Sequence, residues 1–125
     1  MAAANDLYHP INMETLRDLE ETVAIGIPEI MLDLLNTFTV DCNETFRVLR
    51  QALSEEDLKL VEINAHALKS SSATFGAEQL ASMFGYIELA ARDKKLTEIR
   101  AMIEDVSQKI EEVHSVLNAE RERLQ

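Results

Sequence analysis

The stretch from Pro28 to Leu53, "PEIMLDLLNTFTVDCNETFRVLRQAL", decides the fold. Met31, Leu34, Leu35, Phe38, Cys42, Thr45, Leu49, Ala52 and Leu53 recur in it at steps of three and four, the spacing that lines one face of an α-helix. Pro28 suits the first turn, where its missing N–H costs little. A helix this long with a single inward stripe needs other helices to cover it.

The flanking sequence supplies them. Upstream, a short helix is expected from Asn12 to Val23, with Asn12 as N-cap and Met13, Leu16, Leu19 and Val23 turned inward; Gly26 and Pro28 break it from the long one. Downstream, "SEED" at Ser54 to Asp57 matches a capping box, so a third helix is expected to begin there after almost no loop, to bury Leu58, Val61, Ala65, Leu68, Ser72 and Phe75, and to stop at Gly76. A fourth, Ala77 to Asp93, would bury Leu80, Met83, Phe84, Ile87 and Ala91, and "RDKK" would turn the chain. The fifth, Leu96 to Leu124, carries Ile99, Met102, Ile103, Val106, Ile110, Val113, Leu117 and Leu124. Short connections between long amphipathic helices imply antiparallel neighbours. The expected fold is therefore all-α: an antiparallel four-helix bundle over residues 12–125, with an additional short N-terminal helix, preceded by a tail at residues 1–11.

Composition agrees and removes several functions. Of the 125 residues 46% are hydrophobic and 28% charged, enough for one self-contained core, and three glycines, two prolines and no tryptophan favour helices over sheet. The net charge of −11 repels a phosphate backbone or an anionic membrane, so neither nucleic acid nor a membrane surface is an expected partner. No run is long enough to span a bilayer, and "MAAANDLYHP" has no secretory signal pattern. Cys42 is the single cysteine, so no intrachain disulfide can form; with no helper beside it on the stripe, it reads as a small core residue. A cytoplasmic location and a monomer are expected. No paired carboxylates in a cleft, nucleophile triad or glycine-rich phosphate loop points to a hydrolytic or metal enzyme, and the three scattered histidines do not make a metal site.

One segment of the third helix does not fit a purely structural reading: "NAHALKSSSATFG", Asn64 to Gly76. Serines are poor helix-interior residues, yet three stand in a row. At about 100° per residue His66 points roughly 130° away from the centre of the buried stripe, into solvent. Lys69 lies one turn along on one side of it and Ser70 on the other. A neutral imidazole is a nucleophile near pH 7, and a neighbouring ammonium would stabilise a transferring phosphoryl group. Small residues around the ring, Ala67, Ser70 and Ser71, would let a partner's backbone come close. His9 and His114 have no such surroundings and are taken as ordinary surface or boundary residues.

With these residues in view, "HALKSSSATFGAEQLA" resembles the signature of the histidine-containing phosphotransfer (HPt) domain of multistep phosphorelays, H-x-L-K-G-S-S-x-x-x-G. His66, Leu68, Lys69, Ser71, Ser72 and Gly76 match it in place, and the five-helix layout fits from about Thr15 onward. Ser70 stands where the pattern has glycine; a hydroxymethyl group is small enough to be tolerated and can donate a hydrogen bond to phosphoryl oxygens. The resemblance implies that His66 accepts a phosphoryl group from the aspartyl phosphate of one receiver domain, in a hybrid sensor kinase, and passes it to the aspartate of another, in a response regulator. It implies no nucleotide-dependent kinase activity and no bound cofactor, any Mg²⁺ being supplied by the receiver. On the fourth helix the family places a Glu or Gln at the position of Glu88, against the other ring nitrogen of the histidine, and Arg92, one turn on, would then face the phosphoryl group or the receiver.

Gly85, one turn before Glu88, is costly in a helix interior unless it lets the third and fourth helices approach. Ile63, one turn before His66, projects outward and is expected to dock a receiver with Ala67 and Ser71, the patch extending to Ile11 and Met13. The alternative is a phosphorylation-silent helical adaptor that binds receivers or kinases; an adaptor would need neither His66 nor Lys69.

Overall fold

The computed structural model describes residues 9–125, and residues 1–8 of the expected N-terminal tail lie outside the described residues. Among the described residues there are five helices and no strand: α1 (Met13–Thr22), α2 (Pro28–Ser54), α3 (Leu58–Thr74), α4 (Glu78–Arg92) and α5 (Leu96–Leu124). Polar pairs on the outside fix the direction of each neighbour. Asn36 and Arg50 of α2 reach Arg121 and Glu104 of α5 respectively, so the two helices run oppositely. Tyr86 and Gln79 of α4 meet Glu98 and Lys109 of α5 in the same reversed order. Helices α2 to α5 thus form the antiparallel bundle expected from the sequence.

Its interior follows from the apolar stripes. Met31, Leu35, Leu49, Val61, Leu68, Leu80, Phe84, Ile87, Ile99, Val106 and Leu117 are all withdrawn from solvent. Phe38 stacks on Phe75 at 4.5 Å between ring centroids, and Phe46 meets Phe84 edge-on at 6.2 Å, ring contacts that add to the area buried. Phe46 replaces the expected Thr45 at the inward position: both lie one helical step from Cys42, and only the aromatic reaches Phe84 across the bundle.

Three bundle helices end in one way. The amide after each left-handed residue reaches back five positions, from Asp57 to the Ala52 carbonyl, Ala77 to Ser72 and Lys95 to Ala90. The left-handed residues are Glu56, Gly76 and Lys94. This corrects the expected capping box: Ser54 is still in α2, its Oγ donating to the Gln51 carbonyl at 2.8 Å, and the N-cap of α3 is Asp57, which accepts from the Leu60 amide at 3.2 Å. Gly76 is required twice over, for its φ of 81° and because a Cβ there would lie 2.7 Å from the Asn12 carbonyl oxygen.

That contact also docks α1 across one end of the bundle. The Asn12 amide donates to the Gly76 carbonyl at 2.7 Å, its side chain caps α1 by accepting from Glu14 and Thr15, and Arg17 forms a two-pronged pair with the buried Glu120 of α5. Ile11, placed in the docking patch by sequence, is fully buried here, whereas Val23, expected inward, is exposed where α1 ends and Ala24 takes its buried place.

Candidate functional site

The site grows from two antiparallel helices in register. On α3, positions one turn apart bring Glu62, His66 and Lys69 to neighbouring places on one outward face; on α4 the same spacing aligns Arg92, Glu88 and Gly85 opposite them. Glu88 is buried, while the His66 side chain retains 62% of its exposure. The Glu88 Oε2 lies 2.9 Å from His66 Nδ1, and its Oε1 accepts from Lys69 Nζ at 2.8 Å. The bond to Lys69 holds the Glu88 carboxyl below its ordinary range against the opposing effect of desolvation, and the contact with His66 adds to the lowering.

An ionised Glu88 only accepts, so the proton between it and the ring belongs to Nδ1. In the neutral ring Nε2 then carries the lone pair, on the side of the ring away from the carboxylate. A buried carboxylate thus selects the tautomer of the neutral imidazole and orients a ring that is largely in solvent.

Lys69 does not stand free beside the ring as its spacing suggested; its ammonium is engaged by Glu88. Its stem crosses α4 at Gly85, where a Cβ would lie 3.3 Å from Lys69 Cδ, which supplies the packing reason for that glycine. Arg92 also turns inward along the surface: its Nε donates to Glu62 Oε2 at 3.0 Å and its Nη2 to Glu88 Oε2 at 3.4 Å. Glu62 is a member of the site that the sequence reading missed. Its position four residues before His66 was the available signal, but which α4 residue it would face was set only by the register of the two helices.

Of the other expected site residues, Ser70, Ala67 and Ile63 are exposed on the His66 face, Ile63 at 54%. Ser71 is half-buried with its hydroxyl donating to the Leu68 carbonyl at 3.3 Å, so it offers a partner little polar surface. Met13 is half-buried on α1 and packs on the core. His114 is half-buried, and burial is the chief cause lowering its pKa. Among the described residues no group of three His, Cys, Asp or Glu side chains is placed to hold a metal ion, and no helix is long and apolar enough to cross a membrane.

The chain is similar to known proteins along most of its length. The family model described as "Hpt domain" matches residues 33–118. A curated relative, the "Phosphorelay intermediate protein rdeA" of Dictyostelium discoideum, is 25% identical over 93 residues, covering 74% of this chain; the match spans only 37% of that relative's length. The crystal structure of histidine-containing phosphotransfer protein B (HptB) from Pseudomonas aeruginosa PAO1 superposes with a TM-score of 0.85 at 28% identity, covering 93% of this chain and 97% of that one.

Proposed function

The chain belongs to the Hpt domain family, the histidine phosphotransfer modules of multistep phosphorelays, and on that premise we propose that His66 is its phosphoacceptor. The observation that carries the assignment is the contact of the buried Glu88 with Nδ1, which in the neutral imidazole leaves the lone pair on Nε2 of an exposed ring. The Nε2 lone pair attacks the phosphorus of a receiver's aspartyl phosphate. A P–N bond forms, the acyl P–O bond breaks, and its electron pair returns to the receiver's carboxylate. The second transfer runs the same exchange in reverse onto another receiver's aspartate.

Glu88 orients the ring and, as Nε2 takes up the phosphoryl group, stabilises the positive charge that develops on the imidazole. Lys69 and Arg92, gathered on the same carboxylate at the Nδ1 side of the ring, are the cations that would turn to the phosphoryl group. Ser70, exposed on the His66 face, is assigned as a donor to phosphoryl oxygens, and Ser70→Gly with unchanged transfer kinetics would remove that role. Mg²⁺ is assigned to the acidic pocket of the receiver, and the chain is a carrier without kinase chemistry of its own. Its donor is the receiver of a hybrid sensor kinase and its acceptor that of a response regulator, both docking over Ile63 and Ala67, with Ser71 and Met13 at the margin. A cytoplasmic monomer suits that traffic.

The test is single-turnover transfer from radiolabelled, phosphorylated receivers to the native chain and to His66→Gln. Rapid, acid-labile labelling that disappears in the variant is the expected result. Binding of receivers without labelling of either chain would instead establish the silent adaptor.

A further inference from the structure

We propose that Glu62 is a positioning residue for the phosphoryl group: it holds the Arg92 guanidinium in a parked position, and a phosphoryl group on His66 must compete with it for that cation. The inference rests on His66 being the phosphoacceptor. Glu62 and His66 leave α3 one turn apart on the same face, and α4 sets Arg92 opposite the first as it sets Glu88 opposite the second. Both carboxylates touch Arg92, but unequally. Glu62 takes its Nε at 3.0 Å, whereas Glu88, already accepting from Lys69 and His66, offers only a shared oxygen at 3.4 Å. Glu62 is itself mostly covered, with 17% side-chain exposure, and its other oxygen faces Lys59 at 3.6 Å. Glu62 is therefore the group that decides where the guanidinium rests.

Phosphorylation changes the competition. A phosphoryl group on Nε2 brings roughly two negative charges near pH 7 and oxygens that suit a guanidinium fork. Arg92 and the Nδ1 side of the ring meet the same Glu88 oxygen, at 3.4 and 2.9 Å, so to reach a phosphoryl group on Nε2 the guanidinium must swing around the ring and leave Glu62. Any hold that Arg92 takes on the phosphoryl group comes at the expense of Glu62. Glu62 thus loosens the phosphohistidine and favours passing the group on, and by reciprocity phosphorylation weakens the Glu62 to Arg92 pair.

The test uses the full chain phosphorylated by phosphoramidate, whose P–N bond breaks with loss of ammonia as the P–N bond to His66 forms. Decay of the phosphohistidine at neutral pH is followed by ³¹P NMR in the native chain, Glu62→Gln, Arg92→Gln and the double variant, with circular dichroism confirming that each is folded. Glu62→Gln is expected to slow decay about threefold, within what a partly exposed ion pair supports, and Arg92→Gln to hasten it. In the Arg92→Gln background the Glu62 change is expected to have no effect, a cancellation that a merely structural role would not produce. Unchanged decay in Glu62→Gln, or equal slowing with and without Arg92, overturns the role of Glu62 while leaving His66 as acceptor. A native chain that gains no more phosphorus than His66→Gln overturns the phosphoacceptor reading and this inference with it.

Discussion

Replacing Glu88 separates its effect on the ring from its effect on the fold. In Glu88→Ala the ring loses a charge-assisted hydrogen bond of the kind worth about 2 kcal/mol, and with it both the preferred tautomer and a fixed orientation. If that whole term acts on the attacking nitrogen, transfer slows about 30-fold, at 1.36 kcal/mol per factor of ten. Glu88→Gln keeps the shape and one acceptor, but two claimants remain for it: Lys69 Nζ at 2.8 Å and His66 Nδ1 at 2.9 Å. Turned to the ring, the amide oxygen makes a bond about half as strong as the carboxylate's; turned to Lys69, it leaves an NH₂ against Nδ1, which selects the unreactive tautomer. A loss of about 1 kcal/mol, or roughly fivefold in rate, is expected.

Stability should change little. The cations released, Lys69, Arg92 and any protonated His66, have side-chain exposures of 41%, 55% and 62% and regain water. The cost is about 1 kcal/mol. Single-turnover transfer gives the rate, ¹⁵N shifts of the His66 ring give the tautomer, and thermal melting confirms the fold. Glu88→Ala transferring within twofold of the native chain with an unchanged tautomer would refute the orienting argument; loss of transfer through unfolding would appear in the melt.

Three further outcomes follow from single contacts. Burial pushes the Cys42 thiol up to about 11, so about one part in ten thousand is thiolate at pH 7, and labelling by iodoacetamide is expected to require unfolding; rapid labelling of the folded chain contradicts this. Gly85→Ala gains up to about 1 kcal/mol of helix propensity, or about 4 °C in Tm for a chain this long, provided the Lys69 stem yields at its 3.3 Å approach; a lower Tm means that it cannot. Glu120 has its carboxyl lowered chiefly by the bond from Arg17, so its stabilising contribution is fully present above its ordinary value of 4.5 and is lost as pH falls through the lower folded value. Glu120→Gln is therefore expected to cost about 1 kcal/mol at pH 7, and the gap between variant and native melts should close in acid; a gap independent of pH would point to packing instead.

Most of the fold was legible because its determinants are local. Asn12 caps the helix it was expected to cap, Pro28 opens α2, and α5 runs from Leu96 to Leu124 as its stripe required. The misplaced start of α3 shows where locality ends. "SEED" satisfies the capping-box pattern, but Glu56 adopts a φ of 58°, and the N-cap falls on Asp57, three residues later than the pattern implies. A non-glycine residue in that conformation is held by the packing of α2 against α3, which no four-residue motif records. Phe46 and Ile11 were misplaced for the same reason: the first is buried against a ring on α4, and the second joins the core where α1 docks on the bundle.

The site divides along the same line. The outward placement of His66 was legible from a helical face, and its contact with Glu88 from a family likeness, because both depend on the backbone positions of helix residues. The partners of Lys69 and Arg92 were not. A side chain with four or more rotatable bonds can reach solvent, phosphate or any carboxylate within several ångströms, and its choice depends on which acceptors a second helix has already buried. Here Glu88 is withdrawn from water and draws cations from both helices, while Glu62 claims the one it cannot fully bind. The positive charge that spacing assigned to the phosphoryl group is held at rest by carboxylates, so its availability to the ring depends on the strength of those pairs as much as on its place in the sequence.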